Sequence, residues 1–129
     1  MFLLLELRRD NLKKYPWTKE FRIRKRSDYL RIQGKNSAWR SSDLILLYQR
    51  NRKESFSRVG LTVSRKVGNA VLRNRVKRWL REALRHEYQN LKGSWDIVII
   101  AKSHASESEY SNIHQQIVRA FHYLSRRCR

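Results

Sequence analysis

Two hydrophobic periods alternate along the chain, and the points where one gives way to the other mark its elements. Asp43-Leu44-Ile45-Leu46-Leu47-Tyr48-Gln49 is apolar on both faces at its centre and predicts a strand. Arg58-Val59-Gly60-Leu61-Thr62-Val63-Ser64 sets Val59, Leu61 and Val63 against smaller residues, as a half-buried strand does. The polar stretch from Asn51 to Ser57 between them reads as a hairpin loop. Trp95-Asp96-Ile97-Val98-Ile99-Ile100-Ala101 is a third, β-rich run.

Helical spacing governs the rest. From Thr18 to about Gln33 the apolar positions Phe21, Ile23, Tyr29, Leu30 and Ile32 predict a helix, with Ser27-Asp28 as the cap of a shorter alternative. Gly34-Lys35-Asn36-Ser37 stops it. Gly68-Asn69 opens a second helix, predicted to run to about Leu91 before Lys92-Gly93-Ser94. Leu72, Val76, Leu80 and Leu84, with Trp79 and Ala83, form its apolar face. Ser106-Glu107-Ser108-Glu109 reads as a capping box for a last helix carrying Tyr110, Ile113, Ile117, Phe121 and Leu124. The order is helix, strands, basic helix, strand, helix: one compact α+β domain over residues 19–129. Residues 1–18, with Tyr15-Pro16-Trp17, read as an N-terminal extension.

Charge changes the picture most in the second helix. Arg73, Lys77, Arg81 and Arg85 recur at every fourth position and form a cationic ridge beside the apolar face. Like charges so spaced repel by a few tenths of a kcal/mol per pair, so a packed helix that keeps them suggests a polyanion on its open side. The whole chain agrees: 30 Lys and Arg against 11 Asp and Glu give a formal charge of +19 over 129 residues. A membrane partner fits poorly, since the apolar run Phe2–Leu5 is far below the roughly 20 residues that span a bilayer. Cys128 stands alone, which excludes a disulfide framework and a zinc motif, and a cytoplasmic protein is expected.

Catalytic signatures are missing from the sequence. It has no Gly-x-Ser-x-Gly elbow and no Walker loop, and His86, His104, His114 and His122 lack metal-ligand spacing. Glu82, close to Arg78 and Arg85, reads as a structural ion-pair partner. Nucleic acid fits better. Arg73, Lys77, Arg78 and Arg81 suit phosphates, and Asn69 and Asn74 can hydrogen-bond sugars, phosphates or base edges. Tyr29 and Tyr48 lie on the first helix and first strand, where both can face a shared groove in which unpaired bases stack, although either ring taken alone reads as core; Trp79 and Trp95 are assigned to packing.

The run from Arg58 to Val71, continuing Arg73-Asn74-Arg75-Val76-Lys77-Arg78 and Arg81-Glu82, resembles the signature of the bacterial ribonuclease P protein subunit family. Arg73-Asn74-Arg75 stands at the centre of its RNR motif. Arg26-Ser27-Asp28-Tyr29 and Asp96–Ala101 resemble the family's first helix and last strand. The resemblance implies a four-stranded sheet with three helices and a left-handed crossover carrying the basic helix. It implies a subunit that binds a catalytic RNA and precursor tRNA, and that promotes endonucleolytic removal of the 5′ leader. It implies no membrane and no obligate protein partner. The RNA does the chemistry and holds Mg2+, so no catalytic or metal-binding residue is assigned to this chain. Carried over by position, Arg65, Lys66, Asn69, Arg73, Asn74, Arg75, Lys77, Arg78 and Arg81 bind RNA. Tyr29, Gln33 and Tyr48 line the leader groove, and Gln33 replaces an aromatic common in the family. Charge alone supports only a broader alternative, a general RNA-binding or ribosome-associated protein.

Overall fold

The computed structural model describes residues 19–34 and 37–128; the predicted extension 1–18 lies outside them. Helix α1 is Arg26–Gln33, followed by strands β1 (Ala38–Arg40), β2 (Leu44–Arg50) and β3 (Arg58–Thr62). Helix α2 (Ala70–Glu87), strand β4 (Trp95–Ala101) and helix α3 (Tyr110–Ser125) complete the order. The result is an α+β domain built on one four-stranded sheet.

That sheet has the order β1-β2-β4-β3. β4 therefore separates β2 from β3, and residues 51–57 are not a hairpin loop. The reason lies in burial: β4 is the most continuously apolar run, and the centre of the sheet hides both its faces. It pairs antiparallel with β2 and parallel with β3. Val59 turns its side chain into the core beneath α2 and α3, while its carbonyl accepts from the Ile23 N–H, away from β4. For an L-residue seen from its side-chain face with the chain running upward, backbone polar groups point right. β4 thus lies to the left, and the β3–α2–β4 crossover is left-handed, against a right-handed rule that holds in about 98% of cases.

The larger core lies between the sheet and the pair α2–α3. Val76, Leu80, Ala83 and Leu84 of α2 meet Ile113, Ile117, Ala120, Phe121 and Leu124 of α3 over Leu44, Leu46, Ile97 and Ile99. A smaller core on the opposite face joins Ile23 and Ile32 to Val98.

Local details depart from the sequence pattern at four places. The first helix is the shorter alternative, but Lys25 is its N-cap and offers no side-chain bond; a 3-10 turn, Lys19–Phe21, precedes it. α2 ends at Glu87 and tightens into a 3-10 turn, Tyr88–Asn90. The capping box is absent, because Ala105–Glu107 forms its own 3-10 turn and α3 begins after Glu109 without a side-chain cap. β1 was too short to show a period; it is the fourth strand, paired with β2 through Trp39 and Leu46.

Candidate nucleic-acid interface

The basic segment begins where β3 ends. Arg65–Val67 make one 3-10 turn capped by Ser64, and Val67 is buried. The Ser106 hydroxyl holds the Val67 carbonyl at 3.2 Å, tying this turn to the chain beyond β4. Gly68 follows at φ 147°, a conformation open to glycine and strained for other residues. The Asn69 carboxamide oxygen then accepts from the Leu72 N–H at 3.0 Å and caps α2.

The α2 ridge winds rather than running straight. Arg73 and Lys77 are half-buried at the edge of the core, whereas Arg81 and Arg85 are exposed. A 3.6-residue turn carries a four-residue repeat slowly around the cylinder. Asn74, Arg75 and Arg78 share the solvent side with Val71, which is 68% exposed. The Arg73 Nε is buried without an acceptor among the described residues. No acidic residue occurs between Glu54 and Glu82. Glu82 itself pairs with Arg85 at 3.0 Å and His86 at 3.2 Å, so the predicted structural ion pair is present and the positive field begins beyond it.

The groove is on the other face of the sheet. Three rows cross that face. Thr62–Ile100–Ile45–Arg40 is the row nearest Arg65; Gly60–Val98–Leu47–Ala38 is the middle; Arg58–Asp96–Gln49 is the far row. α1 lies over the middle row, with Tyr29 against Gly60 and Ile32 packed with Val98. Asp28 and Arg31 turn to the far row, reaching Arg58 at 3.4 Å and Asp96 at 2.9 Å. Tyr29 takes the opposite flank, and Gln33, one turn on, follows it with its side chain exposed. Tyr29 and Gln33 thus wall a groove floored by Thr62, Ile100 and Ile45, all partly exposed, and ended by exposed Arg40.

Tyr29 is held from below. Its hydroxyl donates to the Ile23 carbonyl at 3.1 Å, and burial raises its pKa. Asp96, only 2% exposed, anchors the far side of α1 by accepting from Arg31, Arg58 and Asn51. Hydrogen bonds to Asp96 raise the pKa of both arginines. Burial works to raise the Asp28 carboxyl, but bonds and charges from Arg31 and Arg58 outweigh it and hold the group below its usual range.

Tyr48 does not share this groove. Strand alternation places it with Leu44 and Leu46 on the α2–α3 face. There it meets Trp95 edge-on at 5.8 Å and hydrogen-bonds the Tyr123 hydroxyl at 3.2 Å. Burial and that bond push its pKa up to about 12. Trp95 is core, as assigned, and Trp79 is partly buried against it. The floor residues Thr62, Ile100, Ile45 and Arg40 were not legible as site residues, since their alignment depends on a register that no local pattern encodes. Asp96 did leave a signal: a lone carboxylate heading an apolar strand.

Among the described residues no three His, Cys, Asp or Glu side chains gather where a metal ion could sit, and no helix is long and apolar enough to cross a membrane.

Comparison with known proteins gives a consistent result. The Ribonuclease P family model matches residues 17–125. A ribonuclease P protein component from Desulfosudis oleivorans is 38% identical over 112 residues, covering 87% of this chain and 92% of the relative. The corresponding component from Syntrophus aciditrophicus is 40% identical over 108 residues, covering 82% and 88%. Among solved structures, the RNase P protein from Thermotoga maritima superposes with a TM-score of 0.70 at 29% identity, covering 81% of this chain and 96% of that one. The Staphylococcus aureus RNase P protein gives 0.70 at 30% identity, covering 77% and 90%.

Proposed function

The chain belongs to the ribonuclease P protein family, and we propose that it is the RNA-holding subunit of a tRNA 5′-processing ribonucleoprotein. In this reading the catalytic RNA is bound by Arg65, Lys66 and the outward cations of α2. The 5′ leader of precursor tRNA lies in the groove between α1 and the sheet. One observation carries it: the groove beside Tyr29 and Gln33 lies at the C-terminal ends of the parallel strands β3 and β4, and the basic segment departs from that same end of β3. A single-stranded leader leaving a cleavage centre held against α2 would enter that groove directly.

The chemistry assigned to the chain is electrostatic and positional. Each phosphate met by a Lys or Arg releases counterions, which favours assembly and weakens it in salt. Arg73, Arg75, Lys77, Arg78 and Arg81 sit on a helix anchored by Val76 and Leu80, so little ordering remains to be done on binding. Asn69 is already engaged as the helix cap, which leaves its side-chain amide donors for RNA. Tyr29 stands beside the groove, where its ring can stack an unpaired leader base, and Gln33 offers an amide that can hydrogen-bond a base where stacking is lacking. Mg2+ is assigned to the RNA subunit, where it supplies the hydrolytic chemistry. The leader discriminates precursor from mature tRNA because only the precursor fills the groove.

Reconstitution tests the reading. Catalytic RNA from the same organism, with the chain added, should cleave precursor tRNA at Mg2+ concentrations where RNA alone is slow. No gain over RNA alone would contradict it. Equal binding of unrelated structured RNAs would favour a general RNA-binding role.

A further inference from the structure

The far flank of α1, across the helix from Tyr29, carries a second cationic surface. Between the start of α1 and residues 49–54 the chain leaves an open cleft of about 470 Å³. Its cations are Lys25, Arg31, Arg50, Arg52, Lys53 and Arg58, set against Asp28, Glu54 and Asp96. Two of those three acids are spent internally. Asp28 and Asp96 are bound by Arg31 and Arg58, at 2.9–3.4 Å.

The cleft is built around one buried carboxylate. Asp96 Oδ2 fixes Arg31 and Arg58, while Oδ1 accepts from Asn51 at 3.1 Å and from the Arg58 Nε at 3.1 Å. Asn51, itself buried, uses its side-chain oxygen to accept from the Lys53 and Glu54 N–H groups, at 3.0 and 3.1 Å. These bonds hold the backbone of the turn that presents Arg52 and Lys53, whose side chains are exposed. Lys25, Arg52 and Lys53 have no acidic partner among the described residues. The first turn of α1 borders the same cleft with no side-chain cap over its amides, so its positive end adds to the field.

We propose that this cleft is a second RNA phosphate-binding site, separate from the groove beside Tyr29. A cavity of this size takes one small group rather than a duplex, and the Lys25, Arg52 and Lys53 side chains that border it, without acidic partners among the described residues, suit a phosphodiester. The phosphate comes either from the catalytic RNA or from leader nucleotides that have crossed over α1. The inference rests on the proposed RNA-holding role.

The test uses the full chain reconstituted with catalytic RNA, comparing wild type with the double variant Arg52→Gln, Lys53→Gln. One arm measures the salt dependence of assembly with the catalytic RNA. The other measures precursor affinity as the leader is lengthened one nucleotide at a time. Arg119→Gln, an exposed charge on α3, is the control for bulk charge. The expected result is a loss of about one to two units of salt slope in the first arm, or loss of the affinity gained with long leaders in the second. The arm that responds identifies the source of the phosphate. No loss in either arm, or equal loss in the control, would overturn the site. If wild type itself shows no preference for precursor, the parent reading fails instead.

Discussion

Tyr29 crosses the sheet at Gly60, where an added Cβ would stand 2.5 Å from the tyrosine hydroxyl oxygen. The absent side chain in β3 is thus what lets the ring settle between α1 and the sheet. Gly60→Ala is predicted to displace Tyr29 and cost about 1–3 kcal/mol of stability, as overpacking does. Chemical denaturation would show the loss, and precursor affinity should fall with it. An unchanged midpoint would mean that the ring yields freely.

Tyr29 contributes in two separable ways. Tyr29→Phe removes the hydrogen bond to Ile23 and should cost roughly 1 kcal/mol of stability while leaving precursor affinity near wild type. Tyr29→Ala should lower precursor affinity by about 1–3 kcal/mol, the usual worth of a stacked base, with mature tRNA unaffected. Equal losses for both substrates would assign the ring to packing alone.

Capping and RNA contact also separate at Asn69. Asn69→Asp keeps the cap oxygen and should leave thermal stability close to wild type, while its new charge weakens RNA binding. Asn69→Ala should cost about 1 kcal/mol of stability. A matched pair of melting curves and binding isotherms decides between them.

Arg78→Gln with Arg81→Gln removes two exposed charges from α2 without touching its buried face. Assembly with the catalytic RNA should weaken, and the salt slope should drop by close to one per phosphate lost. A slope unchanged by both substitutions would place the contact surface elsewhere.

Asp28 gives a pH-dependent prediction. Its carboxyl is held below the ordinary value by Arg31 and Arg58 against the opposing effect of burial. A group depressed in the fold stabilises above its unfolded pKa, near 4, and that contribution vanishes as pH falls through the lower folded value. Asp28→Asn should therefore be less stable than wild type at neutral pH, and the gap should close below about pH 4. Urea unfolding across a pH series tests this; a constant gap would argue against the charge pairing.

How far the sequence carried depended on the range of the forces involved. α2 and its start at Gly68-Asn69 were legible because Val76, Leu80 and the basic positions act within one helix, whereas the Asn69 side-chain cap came from the structure. β4 was legible from composition, but its insertion between β2 and β3 was not, because strand order is decided by burial across the whole sheet. The same limit explains Tyr48. Its aromatic character suggested a groove, yet period-two alternation along β2 commits it to the face of Leu44 and Leu46, where Tyr123 satisfies its hydroxyl. Tyr29 and Gln33 stay on one flank because they are one turn apart on one helix.

In the proposed function a groove walled by α1 takes the leader while α2 holds the RNA. Equilibrium binding of the reconstituted ribonucleoprotein to precursor and mature forms of one tRNA tests it most directly. The account predicts tighter binding of the precursor, with the advantage shrinking for Tyr29→Ala and persisting for Arg119→Gln. Equal affinity for the two tRNAs in the wild-type complex would contradict it.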